Sequence, residues 1–248
     1  MMAKKTLFDP TAAVGIDTIA ITLPIVPIGL RAEKLRVPDA FVRARGDRLW
    51  LEASIPNRLW GSNVRPATAT EAVTEIDRLV AEASELVTIR DHDLRRAPVV
   101  RLDVTRNLWA PFELRPLFIG LADVRYDARW RAQLLSRRGQ MQTLVIGPAR
   151  AWKVTFYDKF AECSERTAFG LMRMEAKLPK KTLAGSAFAR KCGGVVTALA
   201  DLNDAKVAAL GKATFLRVGL TKPIADPFER DVAYRFDWDA GSVERDFI

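Results

Sequence analysis

Apolar and polar residues alternate with a period of two along three separate stretches of this chain, and that spacing predicts strands with one apolar and one polar face. In Arg101-Leu102-Asp103-Val104-Thr105, Leu102 and Val104 point one way while Arg101, Asp103 and Thr105 point the other. In Met172 to Leu178, Arg173, Glu175 and Lys177 share the polar side. In Lys153 to Lys159, Thr155, Tyr157 and Lys159 do so, opposite Val154 and Phe156. Should these strands be neighbours, one sheet face would gather two carboxylates, a tyrosine and several cations.

The same rules extend to the rest of the chain. Asp17 to Leu23 reads as a strand closed by Pro24 and Pro27. Arg48 to Ile55 reads as another, with Trp50, Glu52 and Ser54 on one face, stopped by Pro56 before a loop at Gly61-Ser62-Asn63. Val73, Ile76, Leu79, Val80 and Ala83 predict a helix from Thr70 to about Ala83. A helix is expected over Arg115 to Arg138, then a hairpin of Met141 to Ile146 and Ala151 to Lys159 around Gly147-Pro148, and a strand over 170–178. Helices are expected over 181–192 and Leu202 to Leu210, while the last thirty residues give weak signals. Strands interspersed with helices predict an α+β fold, a mostly antiparallel central sheet with helices packed on its one apolar face.

Composition narrows the partners. With 39 Lys and Arg against 30 Asp and Glu, the formal charge is +9 and the pI near 9.8. A polyanion is the favoured ligand, because Lys and Arg neutralise phosphates and release counterions. Such a charge would also suit a membrane surface. No run reaches the roughly 20 apolar residues of a membrane span, and Lys4-Lys5 leads into Asp9-Pro10 where a signal peptide would turn apolar. Cys163 and Cys192 are far apart, have no metal-ligand spacing and read as thiols in a reducing compartment. A cytoplasmic protein is the expectation.

Five segments in order carry a resemblance: Gly15-Ile16-Asp17-Thr18-Ile19; Glu52 to Asn57 with Gly61-Ser62-Asn63-Val64; Val100 to Thr105; Thr155 to Lys159; and Leu171 to Leu178. Together they make the sequence similar to the phage and plasmid rolling-circle replication initiators typified by the filamentous-phage gene II protein, over roughly residues 15–190. The resemblance implies a replication-initiator endonuclease-like fold and a nickase and strand transferase that starts rolling-circle replication through a covalent 5′-phosphotyrosine. It implies Tyr157 as nucleophile, Asp103 and Glu175 on acidic strands, and Mg²⁺ or Mn²⁺ as cofactor. It further implies origin DNA of a phage or plasmid as substrate, single-stranded at the nick, inside a bacterial host cell, with a host helicase or polymerase as possible partners. In domain terms, 1–14 is then a leader, 15–192 the catalytic domain, and 193–248 a short C-terminal helical region and tail.

The residue chemistry is compatible with that implication. A phenol with a pKa of about 10 is a weak nucleophile at neutral pH and needs a cation or base beside it. Lys159 is the expected activator. Asp103 and Glu175, with Glu52 as a third candidate, offer the hard oxygen ligands that Mg²⁺ or Mn²⁺ prefers. Arg101, Arg173 and Lys177 are expected phosphate contacts, and Trp50 and Trp60 expected stacking surfaces for unpaired bases. The sole histidine, His92, lies in a charged loop and excludes a histidine-pair metal site. The plainer alternative for Arg-x-acid strands is a solvated face with cross-strand ion pairs. From another functional class, the alternative is a non-catalytic DNA-binding replication or packaging accessory.

Overall fold

The computed structural model describes residues 14–28, 33–90, 93–110, 112–123, 130–137, 140–148, 152–185, 190, 195–218, 224–225, 232–237 and 242–247. Residues 1–13 of the expected leader, His92 and Cys192 lie outside them.

Strands β1 (Gly15–Pro24), β2 (Glu33–Leu35), β3 (Ala40–Arg45) and β4 (Arg48–Ser54) come first, then helices α1 (Ile55–Trp60) and α2 (Ala69–Ser84). Strand β5 (Val99–Trp109), helix α3 (Leu114–Asp123) and strands β6 (Trp130–Arg137), β7 (Gln140–Pro148) and β8 (Lys153–Asp158) follow. After them come α4 (Lys159–Cys163), β9 (Leu171–Pro179), α5 (Lys180–Leu183), α6 (Asp204–Arg217), β10 (Ile224–Ala225), β11 (Val232–Asp237) and β12 (Ser242–Phe247). The main sheet has the order β2-β3-β4-β1-β5-β9-β8-β7-β6, and every neighbouring pair in it is antiparallel. The β11–β12 ribbon joins at β5, where Ser242 lies beside Trp109 in parallel.

This is the expected α+β architecture. Ile19, Ile21, Leu102, Val104, Met174 and Phe156 are fully buried on the apolar side, in one core with Ile76 and Leu79 of α2, Phe118 of α3, Leu183 of α5 and Leu210 of α6. Each fully buried side chain of that size contributes roughly 1.5–3 kcal/mol. Helix α2 starts at a reciprocal cap: Thr68 accepts from the Glu71 backbone N–H and the Glu71 carboxylate accepts from that of Thr68.

Several expectations change. Residues 130–137 form strand β6 and not the end of a helix, because Trp130, Ala132 and Leu134 alternate inward while Arg131, Gln133 and Leu135 face solvent. Of the helix expected over 181–192, the described residues show Lys180–Leu183, followed by a turn at Gly185, and a helical Arg190. Pro56 does end strand β4, but it also opens α1, since the first helical turn needs no donor from it. The C-terminal part contains, besides α6, the strands β10–β12, and the short strands β2 and β3 extend the sheet beyond β4.

Candidate active site

The three polar stretches are adjacent strands, in the order β5-β9-β8. Their registers align Asn107 with Arg173 and Tyr157, Thr105 with Glu175 and Thr155, and Asp103 with Lys177 and Lys153. One polar surface therefore spans three strands. It continues through Thr18 and Ala20 of β1 to Ser54, Glu52 and Trp50 of β4.

Much of this polar face is covered. The segment 61–66 leaves α1, passes over the ends of β5 and β9, and returns to pair with β1 through Ile16 and Ala67, N···O 2.7 and 3.0 Å. Gly15 makes that crossing possible, because a Cβ there would lie 2.6 Å from the Ala67 carbonyl oxygen. The Val64 carbonyl accepts from Asn107 Nδ2 at 2.7 Å and from an Arg173 Nη at 2.5 Å. Ser62 donates to Glu165 at 2.7 Å, and Lys159 Nζ donates to Asn63 Oδ1 at 2.6 Å. The segment is thus tied to the floor of the face at Asn107 and Arg173, and to α4 and the turn after it.

Beneath that edge, the half-buried Tyr157 donates its phenolic proton to Glu175 Oε2 at 3.0 Å. Burial, with the negative charges of Glu175 and Asp17, raises the phenol's pKa above its ordinary value. A free phenolate is therefore disfavoured, and the Glu175 carboxylate that accepts the phenol's hydrogen bond is the group placed to take its proton. Lys159 is the first residue of α4 and fully buried. Its ammonium lies 5.7 Å from the centroid of the Tyr157 ring and is bound to Asn63 and Glu162, not to the phenol oxygen. Burial and the nearby Arg173 lower its pKa.

The expected phosphate contact at Arg173 is corrected. Its side chain is completely buried, and its guanidinium donates to Asn107 Oδ1 at 2.8 Å, Asp17 Oδ1 at 3.2 Å and the Val64 carbonyl. Arg173 cements the covering segment and is closed to a ligand. Lys177 and Arg101 keep open surface. Lys177 lies 3.3 Å from Glu175 with its side chain 46% exposed; Arg101 is 29% exposed and forks onto Asp103 with a further bond to Glu52.

The expected metal ligands are not gathered. Glu52 and Asp103 both turn to Arg101, and Glu52 also accepts from Trp50 Nε1 at 3.3 Å. Glu175 holds Tyr157 and Lys177. Among the described residues no three carboxylate, imidazole or thiol groups converge as a divalent cation requires. As placed, this donor set does not fit Mg²⁺ or Mn²⁺, because resident cations already neutralise the carboxylates. Burial nevertheless lifts the Asp103 carboxyl to about 7, against the downward pull of Arg101.

Trp50 is half-buried near the far edge of the face. Trp60 is 39% exposed with the Arg65 guanidinium 4.5 Å from its ring. The residues that sequence reasoning gave no role are Asp17, Asn63 and Asn107. A bulge after Ile16 turns Asp17 onto the polar face, and its sequence signal is a pair of polar residues between Ile16 and Ile19. Among the described residues, no helix is long and apolar enough to cross a membrane.

No known family profile and no curated protein matches this sequence. Among solved structures, the chain is similar to a rolling circle replication initiator protein from Geobacillus stearothermophilus, at 15% sequence identity and a TM-score of 0.43, covering 83% of this chain and 97% of that chain.

Proposed function

We propose that this face is a DNA strand-transfer centre, and that the protein nicks one strand to initiate rolling-circle replication of a phage or plasmid. The observation that carries the reading is the bond from Tyr157 to Glu175 across β8 and β9, on a cation-bearing face of a chain with net charge +9. Attack by the phenol oxygen forms an O–P bond and passes its proton to Glu175. The bond from phosphorus to the 3′ oxygen breaks, and that oxygen takes a proton from solvent water to leave as a free 3′-hydroxyl. The protein remains on the 5′ phosphate. Reversal by an incoming 3′-hydroxyl reseals the strand. Lys177 and Arg101 present positive charge to the phosphate, and Lys159 places its cation over the nucleophile's ring.

The test is adduct formation. Incubation with single-stranded origin DNA is expected to leave the protein covalently on the 5′ side of the cut, and Tyr157→Phe to abolish the adduct while DNA binding persists. Binding without any adduct in the wild-type protein would instead identify a non-catalytic accessory.

A further inference from the structure

Beyond the covered edge of the polar face, three large aromatic side chains lie open to solvent: Trp109 at 50%, Phe160 at 37% and Phe169 at 66% exposure. Trp109 ends the row Arg101, Asp103, Thr105, Asn107 on β5, so it occupies the same face as the candidate nucleophile. Phe160 follows β8 by two residues and meets Phe169 edge to face, with ring centroids 5.7 Å apart. The next residue, Gly170, joins the pair to Trp109. It has φ +72°, and a Cβ on it would lie 2.8 Å from the indole ring. The Ala110 N–H bonds the Gly170 carbonyl at 2.8 Å and locks the two segments together. Trp109 thus packs on the residue next to Phe169, and Phe169 packs on Phe160.

Large apolar side chains exposed together mark interaction surfaces. We infer that Trp109, Phe160 and Phe169 form a platform on which unpaired bases of the cut strand stack. Their position favours this occupant: Phe160 adjoins Lys159, whose ammonium lies 5.7 Å from the centroid of the Tyr157 ring, and Trp109 shares the face of Tyr157. Arg166, between the two phenylalanines in sequence, is exposed. Exposed aromatic rings on that face suit single-stranded nucleic acid, since every base has a π face. The inference rests on the strand-transfer reading, and it adds where the strand runs.

The experiment is fluorescence anisotropy with a labelled oligothymidylate and a duplex of equal length, using wild-type protein and the variants Phe169→Ala and Trp109→Ala. Stacking contributes about 1–3 kcal/mol per base, so each variant is expected to lose about tenfold in single-strand affinity. Duplex affinity should change by less than about twofold, and the salt slope should not move because no phosphate contact is lost. Phe169→Tyr and Trp109→Phe keep a π face and should restore binding, which separates stacking from a folding defect checked by thermal melt. Folded alanine variants with unchanged single-strand affinity, or equal losses on both DNAs, overturn the platform. So does unchanged affinity accompanied by loss of self-association in sedimentation, which would make the patch a protein interface. Wild-type protein that binds no single strand overturns the strand-transfer reading as well.

Discussion

Arg173 and Asp17, separated by 156 positions in sequence, meet at 3.2 Å beneath the covered edge of the polar face. The arginine is completely buried and the aspartate nearly so. Burial raises the Asp17 carboxyl's pKa, Glu175 adds to the rise, and Arg173 opposes it. Removing one member of a buried pair leaves the other charge uncompensated, at a cost of about 3–5 kcal/mol. Arg173→Met is therefore expected to lower the thermal midpoint sharply. The double variant with Asp17→Asn should lose less than the sum of the two single changes, measured by denaturant unfolding. Additive losses would show that the pair is not coupled.

Glu175→Gln isolates the proton acceptor. Glutamine still accepts a hydrogen bond from Tyr157 but cannot take its proton. General-base assistance is worth about 10²–10⁴-fold, so single-turnover adduct formation should slow by that order with oligonucleotide affinity retained. An adduct rate equal to wild type would remove Glu175 from the chemistry.

The strand face was legible in the sequence because its period is two: Arg101, Asp103 and Thr105, Arg173, Glu175 and Lys177, and Thr155 and Tyr157 all lie on the face that alternation predicts. What alternation cannot carry is burial. Arg173 reads as an outward cation, yet a segment more than one hundred residues earlier closes over it. Lys159 continues the alternation on paper, but Asp158 caps α4 by accepting from the Ala161 N–H, so Lys159 starts a helix. Residues 130–135 alternate as a strand does, a signal that the helix expected over Arg115 to Arg138 passes over, and the pairing of β6 with β7 makes them a strand. The carboxylates read as metal ligands because sequence shows them on one face without showing that Arg101 lies between Glu52 and Asp103.

Asp103 gives the pH dependence a direction. Its carboxyl is held at about 7 in the fold, above the ordinary 3.8. Between those values the folded state binds more protons than the unfolded chain, so this group's contribution to stability falls as pH rises through that window. Relative to Asp103→Asn, which cannot titrate, wild-type stability should decline from about pH 4 to about pH 7 and run parallel above it. Urea unfolding of both proteins across this range checks the sign, and a difference that rises with pH would contradict it.

Gly15 couples the covering segment to the site through close approach alone. A Cβ there would lie 2.6 Å from both the Ala67 carbonyl oxygen and the Pro66 Cβ, so segment 61–67 must move. Two residues before Pro66, the Val64 carbonyl holds Asn107 and Arg173, and Asn63 holds Lys159 above Tyr157. Overpacking of this kind costs about 1–3 kcal/mol. The stability loss alone says little, so Ile76→Val on α2 serves as the control. It removes a core methylene at about 0.5–1.5 kcal/mol and touches nothing on the polar face. Gly15→Ala is expected to lower both the thermal midpoint and the adduct rate at temperatures where it is fully folded, whereas Ile76→Val should lower only the midpoint. If both variants keep the wild-type adduct rate, the covering segment is a structural strap with no hold on the nucleophile.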